Sequence, residues 1–192
     1  MTKYILHGGE TGIPNEHNKA FYQEWVKNFS NDFVPTILLV YFSRNEDEWV
    51  KLEQQDKERF GNHTNNRPAQ FVVADKNLEI FKEQIKKSDV IYVRGGSSEM
   101  IISAFRPIKD ELINLLKDKV YAGSSAGVMV LSHLTASHVT DWREGLGLLP
   151  FNSIVHWSPD LQEGLDSFKL NHLDNPYEYI LLPETEFTVR EY

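Results

Sequence analysis

The stretch from Lys119 to Leu131 constrains this chain more than any other. The apolar run Val120-Tyr-Ala122 leads directly into Gly123-Ser-Ser-Ala-Gly127 and out through Val128-Met-Val-Leu131. A G-x-S-x-G spacing between a short strand and a helix start has the pattern and context of a nucleophile elbow. On such a turn the serine is lifted clear of the sheet, and flanking glycines leave room for the backbone to close on itself. Ser125 is the middle residue and the candidate nucleophile. The backbone N–H of Ala126, at the helix N-terminus, is suited to stabilise an oxyanion forming on a substrate carbonyl.

An elbow of this kind needs a sheet behind it, and the rest of the chain supplies one. Apolar runs at Tyr4 to His7, Thr36 to Phe42, Ala69 to Ala74 and Asp89 to Arg94 read as strands. Between them, Phe21, Trp25 and Phe29 recur at helical spacing, Glu46 to Phe60 carries Trp49, Leu52 and Phe60 with a charged solvated side, and Leu78, Phe81 and Ile85 mark a third helix. A further helix starts at Glu99, is interrupted near Pro107 and resumes to Leu116. This alternation predicts one domain over residues 1–192, a three-layer α/β sandwich with a mostly parallel central sheet. Ligands of such sheets bind beyond the carboxyl ends of the strands, where the elbow and the turn Gly95-Gly-Ser-Ser98 both lie. The last third is less regular. Thr135 to Leu149 is expected to be loop with short strands, followed by a strand at Ser153 to Trp157, a helix from Pro159, and closing strands at Tyr179 to Leu182 and Phe187 to Val189.

A serine hydroxyl becomes an effective nucleophile when a histidine takes its proton and a carboxylate fixes the imidazole. Of the seven histidines, His17, His63 and His172 fall in polar or surface positions, and His133 and His138 follow the elbow helix too closely to return over Ser125. His7, at the end of the first strand, and His156, at the end of a later one, are left. Two acids compete for the third place. Glu184 directly follows an apolar run and Pro183, whereas Asp141 lies in a Thr-Asp-Trp segment ahead of Gly145 and Gly147. A position fixed at the end of a buried strand favours Glu184.

Composition removes several classes. The chain has no cysteine, which excludes disulfides and a thiolate nucleophile and fits a reducing compartment. A net charge of −8 without a dense Lys/Arg block argues against nucleic acid. The N-terminus turns polar after three apolar residues, so neither a signal peptide nor a membrane span is expected, and the cytoplasm is the default location. No H-E-x-x-H or similar cluster points to a metal, and no cofactor is implied. A homodimer is the default assembly.

Four segments in fixed order carry a resemblance: Arg94-Gly-Gly-Ser-Ser98, Gly123-Ser-Ser-Ala-Gly127, Gly147-Leu-Leu-Pro-Phe-Asn-Ser-Ile-Val-His156 and Leu182-Pro-Glu184. Together they resemble the peptidase E family of serine peptidases, which includes aspartyl dipeptidases and cyanophycinases. The resemblance implies a class I glutamine amidotransferase-like (flavodoxin-like) fold, with serine where those enzymes carry cysteine. It implies that Ser125 is the nucleophile, His156 the general base, Glu184 the acid that orients it, and the N–H groups of Gly95 and Ala126 the oxyanion hole. The order serine, histidine, acid departs from that of α/β-hydrolases.

The implied activity is hydrolysis of a dipeptide or small peptide, with an esterase at the same site or a non-catalytic binding member of the fold as alternatives. Gly96, Arg94 and Asp141 are candidate substrate-binding residues. The family's glycine-glycine-asparagine-threonine loop is here Gly95-Gly-Ser-Ser98, preceded by Arg94 in place of a further glycine, so the pocket wall differs. The arginines that hold a substrate aspartate in some members follow the histidine, yet Ser158 to Tyr179 contains no arginine and only Lys169. A strong preference for an N-terminal aspartate is therefore not expected.

Overall fold

A computed structural model describes residues Met1–Tyr192. The early apolar runs form β1 (Lys3–His7), β2 (Thr36–Val40), β3 (Gln70–Val73), β4 (Val90–Val93) and β5 (Val120–Ser124). The intervening segments form α1 (Glu16–Glu24), α2 (Trp49–His63), α3 (Leu78–Lys87), α4 (Ser98–Phe105) and α5 (Lys109–Leu115). Local chemistry sets several of their starts. Asn15, Asn77 and Ser97 cap α1, α3 and α4 with side-chain oxygens that accept otherwise unpaired N–H groups of the first turn. Beyond the elbow come α6 (Ala126–Met129), β6 (Leu134–Ala136), β7 (Arg143–Glu144), β8 (Phe151–Trp157), α7 (Gln162–Leu170), β9 (Glu178–Pro183) and β10 (Phe187–Glu191).

Six strands build the central sheet in the order β10-β1-β5-β4-β2-β3, parallel throughout except for β10, which pairs antiparallel with β1. Strand alternation divides the core. Ile5, Ile37, Leu39, Tyr92 and Ala122 face α1 and α2, where they bury Phe21, Trp25, Leu52 and Phe60. Tyr4, Leu6, Leu38, Val40, Ile91 and Val93 face the other way, onto α3 to α6. Strands buried on both faces explain why these runs are almost continuously apolar.

The end of the chain differs from the expectation of one sheet. β6, β7, β8 and β9 form a second sheet, ordered β7-β6-β8-β9, whereas β10 returns to the central one. Two backbone irregularities accompany this arrangement. The β8–β9 register slips between Val155 and Trp157, where His156 has φ of +55°, and Thr185 between β9 and β10 has φ of +65°. β8 and β9 stay paired through Trp157 and Pro183, and after Thr185 the chain passes from the second sheet to β10 in the central one. The first helix also stops at Glu24, short of Phe29, with turns beyond it.

The helix-side packing is tight enough to test. Phe81 is fully buried between Phe42 and Phe105, with ring centroids at 5.0 and 5.7 Å. Phe81→Ala should lower unfolding free energy by about 3 to 5 kcal/mol. Val50→Ala, at a side chain 79% exposed, should change it by less than about 0.5 kcal/mol in denaturant titrations.

Candidate active site

The site begins at the loop after β1. Three successive carbonyls there hold three separate segments: His7 O accepts the N–H of Ser125 at 2.9 Å, Gly8 O that of His156 at 3.2 Å, and Gly9 O that of Thr185 at 2.9 Å. Ser125 and His156 both have positive φ, 48° and 55°, a conformation costly for residues with a Cβ and retained where surrounding contacts impose it. Gly9 has φ of +141°, and a side chain there would come within 2.2 Å of the His156 ring. Close packing also governs the elbow, since a Cβ on Gly127 would meet the carbonyl oxygen of Val93 at 2.4 Å.

These anchors bring three side chains into line. Ser125 Oγ lies 2.9 Å from His156 Nε2, and His156 Nδ1 lies 3.2 Å from Glu184 Oε1. A hydroxyl so placed can pass its proton to a ring nitrogen while the carboxylate accepts from the other. The backbone N–H groups of Gly95 and Ala126 donate to no group of the protein. They remain available beside Ser125, as oxyanion donors must be.

Ser125 and His156 sit at a cavity of about 300 Å³ with no apolar residue in its lining. Ser125 and His156 form one side, Glu10 lines the cavity from the loop after β1, and Arg44, Arg59 and Arg94 converge from the segment after β2, from α2 and from the end of β4. Behind them lies Asp56, with no exposed surface, paired to Arg94, 3.5 Å from Arg59 Nη1 and accepting from the Tyr41 hydroxyl at 3.0 Å. Burial pushes the Asp56 carboxyl above its ordinary range, while the Arg94 and Arg59 charges pull the other way.

Of the residues singled out in the sequence, Ser125, His156, Gly95, Gly96 and Arg94 all line this cavity, with Glu184 joined through His156. Asp141 is placed elsewhere: it pairs with Arg143 beside Glu99 and Arg106, and the Arg143 hydrogen bond holds its carboxyl below the usual range. His133 stacks on Tyr177 with ring centroids 3.9 Å apart. Sequence reasoning misses Asp56 and Arg59 because the charged residues of α2 read as a solvated face, and Arg44 because it stands alone in the segment after β2. A signal was present: Leu52, Asp56 and Phe60 share one stripe at i, i+4 and i+8, and all three are buried. An acid on a buried stripe calls for a cationic partner.

His7 is under the site rather than in it. Gly9 N–H donates to its Nδ1 at 3.1 Å, so the ring proton is on Nε2, which donates to Asn18 Oδ1 at 2.8 Å. The Asn18 amide in turn donates to the carbonyls of Glu10 and Ile13, fixing the loop whose carbonyls anchor the site.

The chain thus joins an α/β fold to a serine and a histidine in hydrogen-bond contact at the carboxyl edge of its central sheet. A sequence profile of peptidase family S51 matches residues 5–185, and the chain belongs to that family. Solved structures agree on the fold. A peptidase from an acI-B1 Actinobacterium is 19% identical, with a TM-score of 0.65 over all of this chain and 84% of its own. A peptidase E candidate from Listeria monocytogenes EGD-e is 15% identical, with a TM-score of 0.66 over all of this chain and 99% of its own. No curated protein matches the chain by sequence. No helix is long and apolar enough to cross a membrane.

Burial lowers the His7 pKa from the ordinary 6.5 to about 4, the Asn18 hydrogen bond opposing and the His156 charge adding to the shift. Between those values the unfolded chain takes up a proton that the folded chain refuses, so stability falls with pH there. The contribution of neutral His7 should be complete above about pH 6.5 and decline by on the order of 3 kcal/mol as pH drops to about 4. Denaturant titrations from pH 7 to 4.5 should show this slope, flattened in His7→Gln.

Proposed function

We propose that the protein is a serine-type peptidase acting on dipeptides or short peptides with Ser125 as nucleophile. The observation that carries this reading is the continuous path from Ser125 Oγ through both ring nitrogens of His156 to Glu184 at the mouth of a polar cavity. Ser125 attacks the scissile carbonyl as His156 Nε2 takes its proton. The tetrahedral oxyanion is received by the N–H groups of Gly95 and Ala126. His156 then donates the proton to the leaving amine, and water repeats the sequence to release the acyl group. Glu184 holds the ring in the tautomer with its proton on Nδ1 and stabilises the imidazolium as it forms. No metal or organic cofactor enters these steps.

The cavity wall also bears on the substrate. No apolar side chain lines it, which disfavours a large apolar residue, and three guanidinium groups converge against two carboxylates, Glu10 in the lining and the buried Asp56 behind it. That excess of positive charge suits a substrate with an acidic group beside the scissile bond. The arginines come from walls other than the segment after His156, so the low aspartate preference expected from that segment is replaced by a preference for acidic residues.

A fluorophosphonate should label the wild type at Ser125 and leave Ser125→Ala unlabelled, with the melting temperature nearly unchanged and turnover reduced by several orders of magnitude. Labelling at another serine in that variant overturns the assignment. Glu184→Gln should reduce kcat far more than Asp141→Asn, which leaves the path through His156 intact.

Matched dipeptides beginning with Asp, Ala and Leu test the wall. Asp should be preferred by about tenfold or more in kcat/KM, the yield of one charge-assisted hydrogen bond, and Arg59→Gln should erode the preference chiefly through the Asp substrate. Equal turnover of Leu and Asp dipeptides rejects the acidic reading while leaving the nucleophile untouched.

A further inference from the structure

The loop that carries Gly95 is held by the two residues Ser43 and Arg44 beyond the end of β2. Ser43, only 2% exposed and just past the end of β2, donates its hydroxyl to the carbonyl of Arg94 at 2.7 Å, and its own carbonyl accepts the N–H of Ser97 at 2.9 Å. The next residue, Arg44, donates Nε–H to the carbonyl of Gly95 at 2.8 Å. Two consecutive carbonyls of the loop are thereby fastened toward β2.

Peptide planarity turns this into a statement about the opposite side. Every peptide bond in the chain is trans, so the N–H of Gly95 points away from the carbonyl of Arg94 within one rigid plane. The Ser43 hydroxyl fixes that carbonyl toward β2, so the Gly95 N–H faces β5, where Ser125 stands. That N–H has no partner in the protein, and the Gly95 Cα region lies against Ser125: a Cβ built there would be 3.2 Å from the Ser125 Cβ. A free peptide plane in a glycine-rich loop can rotate, and the Ser43 hydrogen bond opposes that rotation.

We infer that Ser43 is a positioning residue for the reaction, acting through the Arg94–Gly95 peptide to keep the Gly95 N–H aimed at the developing oxyanion. It touches neither substrate nor nucleophile and does not line the cavity. The inference rests on the reading of Ser125 as nucleophile and of Gly95 as an oxyanion donor. It adds that the donor's direction is set by a side chain of the neighbouring strand. Since oxyanion stabilisation acts on the transition state and not on bound substrate, losing the brace lowers kcat and spares KM.

The experiment compares wild type, Ser43→Ala, Ser43→Thr and Ser97→Ala. The last removes the hydroxyl that caps α4 in the same loop but does not touch the Arg94–Gly95 peptide. The readouts are dipeptide kinetics, the rate of fluorophosphonate labelling and inhibition by a peptide aldehyde, whose serine adduct carries a tetrahedral oxygen at the oxyanion position. Deleting an oxyanion donor outright costs about 10²- to 10³-fold in kcat, so loosening one is expected to cost about tenfold. Ser43→Ala should lose this factor in kcat and the same factor in aldehyde affinity, with KM changed by less than about twofold. Ser43→Thr should recover much of the loss, and Ser97→Ala should shift melting temperature without touching aldehyde affinity. Ser43→Cys fills nearly the same space with a weaker donor, and should move in the same direction if alanine destabilises the loop. Unchanged kcat and aldehyde affinity in Ser43→Ala, with wild type labelled normally, overturns the positioning role alone. A wild type that neither turns over dipeptides nor takes the label at Ser125 overturns the proposed function, and this inference with it.

Discussion

Three carbonyl oxygens in a row, those of His7, Gly8 and Gly9, are the constraint on which the site depends. Ser125, His156 and Thr185 arrive from parts of the chain far apart in sequence, and each is fastened by one backbone hydrogen bond to the same short segment. Side-chain geometry then follows from backbone geometry. A serine Oγ and an imidazole have only a few rotamers, so fixing their Cα atoms to one rigid template leaves little freedom in the distance between them. The template is itself fixed: His7 and Asn18, both fully buried, tie it to the carbonyls of Glu10 and Ile13. An unprotonated His7 is needed for this, because its Nδ1 must accept from Gly9.

The second sheet is a consequence of the same arrangement. A chain that stayed in the plane of the central sheet would carry His156 and Glu184 along its edge. Instead β8 and β9 pair in their own sheet, while His156 and Thr185 near their ends are held against the β1 loop. Positive φ at Ser125, His156 and Thr185 costs on the order of 1 to 3 kcal/mol at each residue. All three donate to the template, so the strain and the anchoring hydrogen bonds fall at the same positions.

The sequence showed the fold more readily than the cavity, and the reason is physical. Strands such as Thr36 to Val40 are buried on both faces, so their apolar runs survive any detail of topology. The elbow was visible because its glycines answer local crowding, as at Gly127 against Val93. Pairing of β6, β8 and β9 into a separate sheet left no local mark, and the positive φ at His156 and Thr185 falls on residues other than glycine. The arginine wall was hidden for another reason. Arg44, Arg59 and Arg94 are 15 or more residues apart and meet only when β2, β4 and α2 are in place. Each taken alone is an ordinary charged residue. Asp56 alone broke the local pattern, an acid on a stripe that Leu52 and Phe60 define as buried.

That buried acid also sets how the cavity handles charge. Three guanidinium groups around a space of about 300 Å³ would repel one another strongly if unpartnered. Asp56 takes Arg94 directly and stands 3.5 Å from Arg59, cancelling part of that repulsion while leaving the cavity positive. The chain as a whole carries −8, so its distant field opposes an acidic substrate. At physiological ionic strength that field is largely screened beyond about 8 Å, and the substrate meets the repulsion only near the surface. Inside the cavity the nearest charges decide, and there Arg44, Arg59 and Arg94 outnumber Glu10. The proposed recognition of an acidic group would therefore act at short range through hydrogen bonds from the guanidinium groups and not by attraction from afar. Arg94 links the charged wall to the Gly95 loop: Asp56 holds its guanidinium, and Ser43 holds its carbonyl one residue before Gly95.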